Sequence, residues 1–210
     1  EAKADWEILS ALAERMGKPF GYQTASQIME EIASLTPIYG GIHFERLEQD
    51  SLQWPCPDSS HPGTPFLYQE GFARGRGKFH AIDYIPPVES ISRNYPLILT
   101  TGRILEHWHT GTMSRRANVL SELRPSGVVE MHPSDAARLG LIEGDLVVVA
   151  SKRGQVETPV HITEKSPPGV IFMPFHWREA AANVLTNDAL DPLAKIPEFK
   201  VSAVHAVLAV

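Results

Sequence analysis

The sequence has little cysteine, no long hydrophobic run and no excess of basic residues. Cys56 is the only cysteine among the 210 residues. No disulfide can therefore form within the chain, and the cysteine spacing of an iron–sulfur cluster or a structural zinc site is absent. The single cysteine favours a reducing, cytoplasmic compartment. No apolar stretch approaches the ~18 residues of a transmembrane helix, so no membrane span is predicted.

Two further absences concern partners and processing. The formal net charge is -6, which argues against nucleic-acid binding as the main task because basic patches dominate nucleic-acid recognition. The chain has no signal-peptide pattern and does not begin with methionine. It begins in what reads as the middle of a helix, so we expect further sequence upstream.

Residues 1–94 are predicted to form two helices followed by a long loop. Apolar residues recur at helical spacing over 6–16, and Gly17 ends that helix. Thr24, with Gln27 three residues later, begins the second helix as a capping box. From residue 36 onward prolines, glycines and aromatics are frequent, and no period persists. We expect an ordered loop draped over a larger body outside this chain. Its aromatic side chains are expected to be buried: Trp54, Phe66, Phe72 and Phe79.

Residues 95–210 read as short strands separated by turns. The strands are predicted at Tyr95–Thr101, Val128–His132, Asp145–Ser151, Gln155–Ile162, Gly169–Phe175 and Ser202–Val210. In the fourth, apolar and polar residues alternate between the two faces. Pro133 begins a short helix that Gly140 ends. Many short strands with few helices favour a closed barrel.

The segment 100–116 is the strongest candidate for a binding site. It contains three arginines, two histidines, four threonines, one serine and one tryptophan, opposed only by Glu106. Such a density of donors suits phosphate or another polyanion. Gly102 allows close approach of a ligand to the backbone, and Trp108 is able to stack on a flat ring. Thr112 is predicted to cap a helix whose N-terminus attracts anions.

A second donor group lies later in the chain. His176 and Trp177 follow an apolar strand, and Asn183, Asn187 and Lys200 come after them. Polar residues within apolar sequence are candidates for reading the edge of a heterocycle.

For single residues, structural alternatives stay open. Arginines at a helix start are often only solvated, and a His-x-His pair on a strand is often structural. Asn183 and Asn187 would equally cap the turn after a short helix. His132 is interpreted as a helix-start residue rather than a ligand, and Cys56 as a loop residue rather than a nucleophile.

Four stretches resemble the molybdopterin-dinucleotide-binding domain of the molybdenum and tungsten oxidoreductases. They are TTGRILEHWHTGTMSRR, HPSDAARLGLIEGDLVVVASKRG, GVIFMPFHW and AAANVLTNDALDPLAKIPEFK. Upstream, IYGGIHFERLEQDSLQWPCP and HPGTPFLY narrow the resemblance to the catalytic (alpha) subunits of formate dehydrogenases of the soluble, often NAD-linked kind. The resemblance covers nearly all of the chain.

The resemblance implies a mainly β fold with an α/β remnant. Residues 95–210 would form a six-stranded double-psi β-barrel of the aspartate-decarboxylase-like type, which binds the dinucleotide. Residues 1–94 would be the tail of a preceding α/β domain plus a connecting arm.

The resemblance also implies a cofactor and its contacts. The cofactor would be bis-molybdopterin guanine dinucleotide holding molybdenum or tungsten. The positions that match the family's motifs are expected to face the pterin and the pyrophosphate. They are Thr101, Gly102, Arg103, His107, Trp108, His109, Thr112, His176, Trp177, Asn183 and Lys200. Arg115 is expected to face solvent.

The chemistry itself is expected outside this chain. In the resembling family the metal-ligating Cys or selenocysteine, the catalytic His and the iron–sulfur cysteines lie upstream, so no catalytic residue and no metal ligand is assigned here. In the whole subunit, formate would be oxidised to CO2 at the metal centre. The implied partners are the rest of the catalytic subunit and electron-transfer subunits with iron–sulfur clusters or flavin.

Three alternatives remain at this stage. His107, His109 and His176 would form a three-histidine zinc site if the first two shared a strand face. The barrel would otherwise serve only subunit assembly, without binding a cofactor. A third alternative keeps the cofactor and changes the substrate to nitrate or another oxyanion.

Overall fold

The computed structural model describes residues 2–209. It divides the chain into two compact units, Glu1–Ile82 and Asp83–Val210. The assignment of residues 1–94 to the tail of an α/β domain stays a prediction. Within the described part of the chain, no helix combines the length and the hydrophobicity needed to cross a bilayer.

The first unit begins with the two predicted helices. They are α1 (Asp5–Arg15) and α2 (Ala25–Leu35), followed by a 3₁₀ turn at Pro37–Tyr39 and the short α3 (Phe44–Leu47). The backbone N–H of Gln27 donates to Thr24 Oγ1 at 3.3 Å, which caps α2 as predicted. Gly17 follows α1 with a φ of 72°, in the left-handed region that glycine tolerates best.

The loop after α3 is organised around Arg46 and Cys56. The Arg46 guanidinium donates to the carbonyl oxygens of Gly41 and His61, the second at 2.8 Å. Cys56 is fully buried, and its Sγ lies 3.4 Å from the carbonyl oxygen of His61. Cys56 is therefore a loop residue, as predicted, and it packs in the interior of the loop.

The loop aromatics are exposed in the described part of the chain, and their burial against a body outside it stays a prediction. The exposed fractions are 40% for Trp54, 73% for Phe66, 52% for Phe72 and 100% for Phe79. Tyr68 and Phe72 contact each other, with ring centroids 5.2 Å apart, but both stay more than half exposed. Hydrophobicity alone could not tell whether this chain supplies the surface that buries them.

The second unit contains the six predicted strands. They are β1 (Leu97–Gly102), β2 (Val129–Met131), β3 (Leu146–Ala150), β4 (Gln155–Ile162), β5 (Val170–Pro174) and β6 (Ser202–Leu208). Between β1 and β2 lie a 3₁₀ turn at Ser114–Arg116 and α4 (Asn118–Leu123), and α5 (Pro133–Leu139) follows β2. A further 3₁₀ turn, Ala182–Val184, follows β5.

These strands form a closed barrel in the order β1-β5-β2-β4-β3-β6. β1 runs parallel to β5 and β2 runs parallel to β4, whereas the other four neighbouring pairs are antiparallel. Each of the six described strands pairs with a neighbour on both sides, so none of them is an edge strand. The closed barrel of six strands, with these two parallel pairs, agrees with the expected double-psi fold.

Alternation along the strands fills the barrel interior. In β4, Val156, Thr158 and Val160 are buried between more exposed neighbours, as the sequence pattern predicted. Leu97 and Leu99 of β1 are fully buried in the same core. These inward side chains fix the register, because a shift by one residue would turn them outward.

Candidate functional site

A cavity of about 650 Å³ opens where β1 and β5 end side by side. Gly102, the last residue of β1, pairs with Pro174, the last residue of the parallel strand β5. The segments that follow the two strands therefore leave the barrel at the same end. The cavity is lined by Thr101, Gly102, Arg103, His109, Thr110, Phe175, Asn183, Phe199 and Lys200. Its size is in the range of small-molecule sites.

The cavity is cationic, since Arg103 and Lys200 line it and no Asp or Glu is among its lining residues. Lys200 Nζ donates to the carbonyl oxygen of Thr101, and Thr101 Oγ1 donates to the carbonyl oxygen of Phe199 at 2.8 Å. These bonds hold the segment around 199–200 against the end of β1. A lysine ammonium has three N–H donors, so Lys200 keeps donors for an anion.

Arg103 lies over aromatic rings at the cavity. The carbon of its guanidinium is 5.3 Å from the centroid of the Trp108 ring and 6.0 Å from that of Phe175. Such cation–π contacts restrain a long side chain without using its N–H donors. Arg103 is exposed on its other side, so its fork of donors stays available to a bidentate anion.

Gly102 allows a close approach that involves a side chain of this chain. A Cβ at this position would lie 2.7 Å from the edge of the Phe172 ring and 3.8 Å from Lys200 Nζ. A side chain here would therefore displace the Phe172 ring. This packing gives a second reason for glycine, in addition to the predicted approach of a ligand.

His176 links two points of the segment after β1. It is fully buried; its Nε2 accepts from the backbone N–H of Ile104 at 3.0 Å, and its Nδ1 bonds to the carbonyl oxygen of His109. The ring is therefore neutral with its proton on Nδ1. Burial lowers the pKa of His176 below its usual range, and the charge of Arg103 acts in the same direction. His109 itself has a φ of 45°, which is uncommon for a residue with a side chain.

His107 anchors the same segment further along. It is 3% exposed, its Nε2 donates to the carbonyl oxygen of Arg124 at 2.8 Å, and its Nδ1 lies 3.2 Å from Ser114 Oγ. Ser114 Oγ in turn accepts from the backbone N–H of Trp108 at 2.9 Å. Side-chain hydrogen bonds of His107 and Ser114 therefore hold this part of the segment, which is not in a strand.

The predicted helix capped by Thr112 is wrong. The segment forms only the 3₁₀ turn Ser114–Arg116 and then the six-residue α4, with Ala117 at its N-cap and no side-chain cap. Thr112 Oγ1 instead lies 2.9 Å from Thr110 Oγ1. The segment is held by contacts with distant residues such as His176, and these contacts replace a continuous helix.

Comparison with known proteins bears directly on this cationic cavity. Residues 97–203, which include all the lining residues, match the family described as "Molydopterin dinucleotide binding domain". The chain belongs to this family. The family resemblance stated from the sequence is thereby confirmed.

The longer relatives that the chain matches are named as oxidoreductases. The chain is 47% identical over 97% of its length to "F420-dependent formate dehydrogenase 1 subunit alpha" from Methanococcus maripaludis. It is 38% identical over 99% of its length to "Assimilatory nitrate reductase catalytic subunit" from Bacillus subtilis. The chain spans 31% of the length of each of these two proteins.

A solved structure has the same fold. The "Acetylene Hydratase from Pelobacter acetylenicus" superposes on the whole chain with a TM-score of 0.73, and the chain covers 33% of it. The two are 19% identical, so the likeness concerns the fold alone.

In this dinucleotide-binding domain, six of the eleven expected contact residues line the cavity. They are Thr101, Gly102, Arg103, His109, Asn183 and Lys200. The other five, His107, Trp108, Thr112, His176 and Trp177, lie outside the lining. Of these, His107, His176 and Trp177 are buried, whereas Trp108 and Thr112 are exposed.

Asn183 and Asn187 have different surroundings. Asn183 is exposed and lines the cavity. Asn187 is buried; its Nδ2 donates to the carbonyl oxygen of Val201 at 2.7 Å, and its backbone N–H donates to Ser202 Oγ at 3.0 Å. Asn187 therefore joins the loop after β5 to the start of β6.

Sequence reasoning left three lining residues out of the expected site, namely Thr110, Phe175 and Phe199. Two of them could have been found by their neighbours in the sequence, because Phe175 precedes His176 and Phe199 precedes Lys200. Arg115 was expected to face solvent, but its guanidinium pairs with Glu179 at 3.0 Å and its chain packs beside Gly111.

The zinc alternative is wrong for the described residues. His107 and His109 do not share a strand, since β1 ends at Gly102. Both ring nitrogens of His176 are bonded to the backbone. Within residues 2–209, no group of three or more His, Cys, Asp or Glu side chains is arranged to hold a metal ion.

Proposed function

We propose that this domain binds the guanine dinucleotide portion of a molybdopterin cofactor in the cavity at the ends of β1 and β5. The observation that carries the proposal is that two cations, Arg103 and Lys200, line one cavity whose lining residues include no carboxylate. A pyrophosphate needs such charge together with N–H donors.

The remaining lining residues fit the other parts of a dinucleotide. Phe175 and Phe199 offer ring faces to a flat base. Asn183 carries both a donor and an acceptor, which suits the edge of guanine. Thr101 and Thr110 add hydroxyl groups, although Thr101 Oγ1 already donates to Phe199.

The direct contacts are therefore assigned to Thr101, Gly102, Arg103, His109, Asn183 and Lys200. His107 and His176 hold the segment that carries Arg103 and His109, and Trp177 packs against His107, with ring centroids 5.0 Å apart. Trp108 and Thr112 stay predicted contacts because they are exposed beside the cavity.

When bound, the cofactor would supply a redox-active molybdenum or tungsten centre for two-electron chemistry. This chain's residues would bind and orient the dinucleotide, and their donors would fix the electrostatic surroundings of its phosphates. None of them is assigned a proton-transfer or metal-binding role.

Titration of the chain with guanosine diphosphate tests the proposal. We expect Arg103→Ala and Lys200→Ala each to weaken binding by roughly tenfold or more, because each removes a charged donor from the anion. Arg93→Ala is the matched control, since it removes the same charge from an exposed residue outside the cavity lining. Absence of binding by the unmodified chain, or an equal loss in the Arg93 variant, would contradict the proposal and favour the assembly-only alternative.

We further propose that the complete protein oxidises formate to CO2. The relative named as a formate dehydrogenase is 47% identical, against 38% for the one named as a nitrate reductase. Nitrate or another oxyanion stays the second candidate because the nitrate reductase matches 99% of the chain. Formate-dependent and nitrate-dependent turnover of the purified complete protein separates the two candidates directly.

The electron acceptor and the partners belong to the same proposal. NAD was expected from the sequence, whereas the relative from Methanococcus maripaludis is described as F420-dependent. Reduction of each acceptor by the complete protein with formate distinguishes them. Iron–sulfur clusters in other parts of the protein, electron-transfer subunits and a cytoplasmic location remain predictions, and metal analysis of the purified protein separates molybdenum from tungsten.

A further inference from the structure

We propose that the ion pair between Glu89 and Arg153 positions one wall of the cavity, although neither residue lines it. This inference rests on the proposed function, because it assigns the pair a role in binding the dinucleotide. The wall consists of two segments, the loop 182–187 that carries Asn183 and the stretch 198–203 that carries Phe199 and Lys200.

Glu89 is held inside the second unit by several donors. Its side chain is 9% exposed. Oε1 accepts from Arg153 Nη1 at 3.0 Å, and Oε2 accepts from Arg153 Nη2 at 2.9 Å and from the backbone N–H of Ala203 at 2.9 Å. The neighbouring Val88 N–H donates to the Glu198 carboxylate at 3.3 Å. Glu89 and Val88 thus fasten both ends of the stretch 198–203.

Arg153 fastens the other segment. Its Nε and Nη2 donate to the carbonyl oxygen of Leu185 at 3.2 Å and 2.9 Å. Its own turn is stabilised by Ser151 Oγ, which accepts from the Arg153 N–H at 3.1 Å. Gly154 lies against Val184, because a Cβ there would come within 2.6 Å of Val184 Cγ1. The guanidinium therefore joins the β3–β4 turn, Glu89 and the loop 182–187.

The two segments also bond to each other through Asn187. Its Nδ2 donates to the carbonyl oxygens of Val201 and Glu198, and its N–H donates to Ser202 Oγ. Asn183 and Lys200, which face the cavity, are therefore presented by segments that share one bonded network. In that network Glu89 and Arg153 form a bidentate ion pair, and this pair is the contact with the most demanding geometry.

Electrostatics agrees with a permanently charged pair. The hydrogen bonds from Arg153 are the main cause that lowers the pKa of the Glu89 carboxyl, so it is ionised at neutral pH. A largely buried carboxylate that loses its guanidinium partner stays uncompensated, and the surrounding segments must rearrange to hydrate it.

Amide hydrogen exchange of the unliganded chain, followed by titration with guanosine diphosphate, tests the inference. In Arg153→Ala and Glu89→Gln, we expect exchange in 182–187 and 198–203 to accelerate by roughly tenfold or more, with exchange in β1 and β5 unchanged. We expect guanosine diphosphate to bind about tenfold more weakly although every lining residue is intact. Arg153→Lys keeps the charge but not the bidentate fork. It should therefore retain part of the protection from exchange and part of the affinity for guanosine diphosphate.

Lys152→Ala provides the matched control. The substitution removes a cation that lies 4.0 Å from the same Glu89 Oε1, but the Lys152 side chain is 63% exposed. We expect it to leave both measurements unchanged. Unchanged exchange in Arg153→Ala, or acceleration spread evenly over the barrel strands, overturns the inference. If the unmodified chain fails to bind guanosine diphosphate, the proposed function fails, while the exchange measurement still decides whether the pair orders these two segments.

Discussion

At the scale of single residues, His176 has the clearest effect on the site. Its two ring nitrogens bond to the backbone of Ile104 and His109, so it shapes the segment that carries Arg103. The sequence identified His176 as a residue of interest because it follows an apolar strand. It could not reveal this role, because both backbone partners lie about seventy residues earlier in the chain.

The lowered pKa of His176 predicts a pH effect on stability. The unfolded imidazole takes up a proton near 6.5, whereas the folded one does so only at lower pH. The unfolded state therefore binds more protons as the pH falls through this window, and the free energy of unfolding decreases. His176→Asn, which keeps a donor near Nδ1 but does not titrate, should be less stable at pH about 7.5 and lose less stability between pH about 7.5 and 5.5.

Urea unfolding at the two pH values measures this difference. His80→Asn serves as the control because His80 is exposed, and its pH dependence should match that of the unmodified chain. Equal pH dependence in His176→Asn and the unmodified chain would show that the folded ring titrates normally.

At the scale of elements, the strands were predictable and the segment between β1 and α4 was not. β4 has the predicted bounds, and α5 begins at Pro133 and ends before Gly140. The signals for these bounds, which are alternating apolar and polar residues, a proline and a glycine, depend only on the local sequence. The segment 103–117 depends on Arg124, His176 and Glu179. A local pattern of donors therefore identified its chemistry, but the helix expected after Thr112 was wrong.

Gly111 offers a test of how tightly this segment is packed. Its φ is 73°, and a Cβ would lie 2.5 Å from Arg115 Cδ and 2.6 Å from the carbonyl oxygen of His176. Gly111→Ala should lower the free energy of unfolding by about 2 kcal/mol or more, because a strained φ and a clash with backbone combine. It should also weaken guanosine diphosphate binding.

Gly140→Ala is the comparison variant for this prediction. Gly140 has a similar φ of 69° but nothing within 4 Å of an added Cβ. Gly140→Ala should lower the free energy of unfolding by only about 1 kcal/mol and leave guanosine diphosphate binding unchanged. Equal losses for the two variants would mean that the segment yields to the new side chain.

At the scale of the whole molecule, the chain exposes many large apolar side chains between residues 66 and 91. Phe79 is 100% exposed, Ile82 85%, Tyr84 84% and Ile85 82%. Exposed apolar surface of this extent is unusual for an isolated protein and is typical of interaction surfaces. The chain spans 31% of the length of each relative, and a segment that covers a larger body outside this chain stays a prediction.

Removing exposed aromatics should therefore change surface properties without changing stability. We expect the double variant Phe72→Ser/Phe79→Ser to bind less of a hydrophobic dye and to keep its thermal midpoint within about 2 °C, since exposed substitutions are usually within ±0.5 kcal/mol. Phe172→Ser, at the ring that packs on Gly102, should instead lower the midpoint. A midpoint that falls equally in both variants would show that Phe72 and Phe79 stabilise the folded chain.

The position of β6 has a consequence for the order of events during biosynthesis. β6 lies between β1 and β3 in the closed barrel, yet the ribosome makes it after the other five strands. Lys200 lies just before β6 and donates to the carbonyl oxygen of Thr101, and Ala203 within β6 donates to Glu89. A nascent chain that lacks β6 therefore has an open barrel and an incomplete cavity wall, so we expect the proposed dinucleotide to bind only after translation of this domain is complete.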